Sequence, residues 1–148
     1  MEKIIAICIF SLGIADFGLG QKVINTNKEG IALDGYDPVS YFLQKPSKGH
    51  KDFSVNENGV IYEFSSPQNE ETFKKNPAKY EPQYGGWCAY AMGLRGAKVE
   101  VDPETYKVLD GKLYLFYNKF LNNTLTSWNR DELKLRNKAD KNWLKIIK

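Results

Sequence analysis

Tyr106-Lys107-Val108-Leu109-Asp110-Gly111-Lys112-Leu113-Tyr114-Leu115-Phe116-Tyr117 reads as two strands joined by a two-residue turn. Valine, leucine and aromatic residues suit a pleated, half-buried surface, and Asp-Gly supplies the positive-φ pair that such a turn requires. Direct pairing across Asp110-Gly111 places Tyr106, Val108, Leu113 and Leu115 on one face, the expected core face.

Upstream, Lys98-Val99-Glu100-Val101 predicts a short alternating strand, turned by Asp102-Pro103-Glu104. Phe53, Val55, Val60, Tyr62 and Phe64 alternate with polar residues around Asn56-Glu57-Asn58-Gly59, predicting a second hairpin with a four-residue loop. Ser65-Ser66-Pro67-Gln68-Asn69-Glu70-Glu71 opens a helix: a serine cap, proline at the first helical position and acids in the first turn. That helix carries Phe73 inward and stops before Pro77. Downstream of Asn118 the period becomes helical, with Leu121, Leu125, Trp128, Leu135, Ala139, Trp143 and Ile147 forming one apolar stripe that Asn129-Arg130-Asp131 interrupts or re-caps. The expected class is α+β: a small antiparallel sheet built from hairpins, with short helices and a long C-terminal amphipathic helical segment packed over it.

Between these elements lies Tyr84-Gly85-Gly86-Trp87-Cys88-Ala89-Tyr90-Ala91-Met92-Gly93. Two glycines permit a tight turn, and the run after them has helical character, which puts Cys88 in the first turn of a short helix. Free N–H groups there favour a thiolate, the form that binds soft metals or attacks disulfides. Cys88 and Met92 are four apart and share a helical face; thiolate and thioether suit Cu(I). Core packing explains both residues equally well. Trp87 and Tyr90 are candidate walls of a small ligand pocket. His50, the sole histidine, falls in the loop Lys45-Pro46-Ser47-Lys48-Gly49-His50-Lys51 and is the remaining candidate metal donor, against a solvated surface role.

The 148 residues suffice for one domain with a hydrophobic core, and the 14% aromatic content implies that large rings fill it. A net charge of +3, with lysines interleaved among acids, gives no patch that would attract nucleic acid. Residues 4–15 form an apolar run too short to span a bilayer but suited to a secretory signal, with Gly18 and Gly20 before a cut at Gln21. An uncleaved anchor is the alternative. The division expected is 1–20 signal peptide, 21–30 irregular N-terminal segment and 31–148 folded domain. The mature chain is then extracytoplasmic, without membrane contact, and Cys88 is its one cysteine, since Cys8 leaves with the signal. Asn122-Asn123-Thr124 matches a glycosylation acceptor, meaningful in a eukaryotic secretory pathway.

No triad, paired-cysteine zinc pattern, phosphate loop or dinucleotide fingerprint is present, and Asp34, Asp37 and Asp102 sit where backbone capping is their expected work. An enzyme is not motivated.

Five segments together resemble the secreted branch of the YHS-domain family: Gly35-Tyr36-Asp37-Pro38-Val39-Ser40-Tyr41-Phe42, Tyr62-Glu63-Phe64-Ser65-Ser66, Phe73-Lys74-Lys75-Asn76-Pro77-Ala78-Lys79-Tyr80, Tyr84 to Ala91, and Asp110-Gly111-Lys112-Leu113-Tyr114-Leu115. The match runs from about Ile31 to Trp143. It implies a small α+β domain related to metal-binding modules found beside copper- and heavy-metal-transporting ATPases. Where metal-handling relatives carry cysteines this chain has Ser40 and Ser65, and the Tyr-His-Ser triplet is missing. Serine is a poor ligand for soft metals, so metal binding would fall to Cys88 with Met92 or His50. The expected function is a secreted or periplasmic, non-enzymatic binding domain with copper or another small ligand near Cys88. The competing readings are a thiol-redox protein acting through Cys88, and an interaction module, its protein partner unspecified, in which Cys88 is core.

Overall fold

A computed structural model describes residues 23–148; the signal segment expected at 1–20 lies outside the described residues. The fold is α+β, as the periodicities predict. Among the described residues three antiparallel strand pairs occur: β1 (His50–Glu57) with β2 (Val60–Phe64), β3 (Asp102–Leu109) with β4 (Lys112–Phe116), and β5 (Asn118–Lys119) with β6 (Asn122–Asn123). Helices α1 (Pro67–Lys75), α2 (Pro77–Tyr80) and α3 (Ala89–Arg95) lie between the first two hairpins, and α4 (Thr124–Arg130) and α5 (Glu132–Ile146) follow the third.

β4 divides the interior. Its pairing with β3 sets Val108 opposite Leu113 and Tyr106 opposite Leu115, the register that the Asp-Gly turn predicts. Along its other edge, bridges from Pro82 to Leu113 and from Cys88 to Leu115 attach the 82–88 segment in parallel. Both faces of β4 are covered as well, so its successive side chains enter different cores. Leu113 and Leu115 join Ala32, Val39, Tyr41, Tyr62, Phe64 and Phe73, whereas Tyr114 and Phe116 join Tyr84, Met92, Trp128, Leu135 and Ala139. The expected core face was therefore half of the story: the Tyr114 face is equally buried, and Val108 is 37% exposed.

Other expectations are corrected by local chemistry. The first hairpin turns through two residues, Asn58-Gly59, because both adopt positive φ and the ladder closes to Glu57 opposite Val60. His50 opens β1 rather than lying in a loop. Residues 98–101 form no strand. The bend at Asp102 is a bulge within β3, where the Asp102 carboxylate accepts from the Glu104 N–H and the Thr105 hydroxyl. The C-terminal helix begins at Thr124 instead of Asn118, with Asn123 capping it by accepting from the Leu125 N–H. Leu121 thus leaves the apolar stripe for the turn of the third hairpin. The interruption expected at 129–131 is real: Asp131 separates α4 from α5. Ser66 caps α1 by accepting from the Asn69 N–H, with Pro67 at its first position.

Candidate functional site

Positive φ angles at Tyr84, Gly85 and Gly86 fold the chain sharply before α3. Gly85 is required there, since a Cβ would stand 2.7 Å from the Val23 carbonyl oxygen and 2.8 Å from the Trp143 ring. The turn delivers Cys88 as the residue capping α3, just ahead of the first helical turn in which the sequence placed it.

Cys88 is wholly covered, at 0% exposure. Its N–H donates to the Val99 carbonyl at 2.9 Å, and its Sγ accepts from the Tyr117 N–H at 3.3 Å and lies 3.5 Å from the Thr124 Oγ1. Thr124 in turn donates its hydroxyl to the Tyr117 carbonyl at 2.7 Å. Sulfur thus satisfies a backbone N–H where β4 ends. Above it opens a hollow of about 310 Å³ lined by Cys88, Tyr90, Arg95, Val99, Tyr117 and Thr124, among others. Arg95 is exposed, and its side chain makes no ion pair or hydrogen bond among the described residues.

The proposed donors are not assembled around the sulfur. Met92 shares the helix with Cys88 but is fully buried in the core with Trp128 and Leu135. His50 is exposed on β1, where its ring lies 6.5 Å from that of Phe53. Among the described residues no group of three or more His, Cys, Asp or Glu side chains is placed to hold a metal ion. Of the two aromatic candidates, Tyr90 lines the hollow, whereas Trp87 does not. The Trp87 indole N–H donates to the Val23 carbonyl at 2.8 Å and its ring lies under Lys98, so it fastens the N-terminal segment to the domain.

Ser40 and Ser65 do meet, on Asp37. Ser65 donates both its N–H and its hydroxyl to the Asp37 Oδ2, and the Ser40 hydroxyl donates to the Asp37 carbonyl. The capping expected of Asp37 is present as well, in bonds accepted from the Val39 and Ser40 N–H groups.

Arg95, Tyr117 and Thr124 were not candidates from sequence. Arg95 was within reach of pattern reasoning, since Cys88, Ala91 and Arg95 follow helical steps of three and four. Tyr117 and Thr124 arrive through the third hairpin, which carries no strong sequence signal. Comparison with protein-family models, with curated proteins and with solved structures found no match. The YHS resemblance therefore rests on the residues quoted for it.

Proposed function

We propose that this is an extracytoplasmic, non-enzymatic binding domain that holds a small organic anion in the hollow above Cys88. The observation that carries this reading is an unpaired guanidinium, Arg95, on the wall of a hollow of about 310 Å³. That volume lies at the lower end of the range of about 300–1,000 Å³ usual for small-molecule sites. Guanidinium recognises carboxylate or phosphate in a bidentate fork, while Tyr90 and Tyr117 offer rings to an apolar body. Copper is less well served: the hollow brings one soft donor, Cys88, together with a cation that repels a metal ion. Disulfide exchange needs an attackable sulfur, and Cys88 is covered.

The test is a thermal-shift and calorimetric screen of the full chain against small aromatic and aliphatic carboxylates and phosphate esters, with Cu(I) as a parallel arm. An acid that raises the melting temperature should lose at least tenfold in affinity in Arg95→Ala, about 1.4 kcal/mol. Equal binding by Arg95→Ala, or no response to any acid, rejects the reading. One equivalent of Cu(I) lost in Cys88→Ser would install the metal reading in its place. Rapid labelling of Cys88 by a thiol reagent in the native protein would favour redox chemistry.

A further inference from the structure

The third hairpin is built against the rules of its own turn. Asn118 pairs with Asn123 and Lys119 with Asn122, leaving Phe120 and Leu121 as the two central residues. Both sit at positive φ, 52° and 62°. Such turns favour Asn-Gly or Asp-Gly, and this chain uses those pairs in its other two hairpins, at Asn58-Gly59 and Asp110-Gly111. Bulky residues in that region are strained. The same two side chains are also the most exposed large hydrophobics described, Phe120 at 91% and Leu121 at 107%. Strain and exposure both weigh against folding, and neither is offset by packing among the described residues.

We infer that the Phe120-Leu121 tip is a membrane-inserting wedge for an anionic lipid surface. Lys119 flanks the tip in the ribbon, and Arg95 lines the hollow that reaches Asn122. Neither cation is paired among the described residues, and the chain carries a net positive charge. Cations beside a protruding apolar tip meet anionic headgroups while the tip enters the acyl boundary. Asn122, exposed beside the tip, adds a polar group at its base. A protein partner is less well matched: a stable interface buries about 800 Å² on each side around an apolar centre, and two residues on a narrow ribbon do not provide it. This departs from the expectation of no membrane contact, which rested on long apolar segments and cannot register a two-residue tip. It shares Arg95 with the ligand proposed for the hollow but is carried by Phe120, Leu121 and Lys119, so the two readings fail separately.

Two variants of the full chain test it, both keeping the apolar segment 4–15 so that differences report on the tip. Phe120→Asn/Leu121→Gly relieves the turn. It should melt roughly 3–6 °C higher than the parent while partitioning at least tenfold less onto phosphatidylglycerol-containing vesicles. After subtraction of the parent's emission from Trp87, Trp128 and Trp143, Phe120→Trp should show a blue-shifted contribution, quenched by brominated acyl chains, only when those vesicles are present. Vesicle binding should fall severalfold on pure phosphatidylcholine and at 0.5 M salt. Equal partitioning of parent and double variant overturns the inference. So does a blue shift of the introduced tryptophan without lipid, which would indicate burial against another protein surface.

Discussion

Asp37 is fully buried, and a carboxylate away from water survives there only when its lone pairs are taken. Oδ1 accepts from the Val39 and Ser40 N–H groups, and Oδ2 accepts from the Ser65 N–H, the Ser65 hydroxyl and the Asn69 side-chain amide, at 2.7–3.3 Å. One side chain thereby ties the turn after Tyr36 to the end of β2 and the start of α1. Asp37→Ala leaves these donors without partners and should destabilise the domain by roughly 3–5 kcal/mol. In urea unfolding this would appear as a lower midpoint with an unchanged slope; a shift worth under about 1 kcal/mol would show that water replaces the carboxylate. The Asp-Pro turn made the local half of this network legible. Ser65 and Asn69 lie 28 and 32 positions away, and no pattern in the chain announces that they return to the same carboxylate.

Among the elements, α3 and α5 approach each other more closely than side chains permit, and Gly93 is the reason. A Cβ there would stand 2.5 Å from the Leu135 carbonyl oxygen. The Asn142 side-chain amide also donates to the Met92 carbonyl at 2.8 Å, locking the same pair. Alanine in place of a helical glycine ordinarily gains up to about 1 kcal/mol. Here the overlap with backbone reverses the sign, and Gly93→Ala should lose about 1–3 kcal/mol and melt lower. A variant that melts higher would mean that the two helices separate without cost. The C-terminal stripe forecast helical packing, but not that it would press the Leu135 backbone onto Gly93.

Across the whole molecule, the two cores on either side of β4 are lined with tyrosines that burial makes harder to ionise. Burial is the main cause of raised pKa values at Tyr41, Tyr62 and Tyr84, and the hydrogen-bonded Asp140 carboxylate adds to it at Tyr84. Each folded value lies above the unfolded value of about 10, so the native state retains protons that the unfolded chain releases. The stability they contribute is complete below pH 10 and is lost as pH rises from there toward the folded values. In an alkaline titration, part of the tyrosinate absorbance near 295 nm should appear only together with loss of far-ultraviolet circular dichroism. Complete ionisation with native dichroism intact would contradict the burial of these rings.

What the sequence determined by itself was local: the Asp110-Gly111 turn and its register, the Ser66-Pro67 helix start, the α+β class and the aromatic core. Each follows from φ preferences, capping and periodicity within a dozen residues. Tertiary structure alone decided that β4 is buried on both faces, because that depends on side chains from distant parts of the chain packing on each of them. It also decided that Cys88 serves the Tyr117 N–H and floors a hollow beside Arg95, while Met92 and His50 lie elsewhere. Side-chain type told which atoms could be donors, but their convergence on one point required the chain to be closed in space.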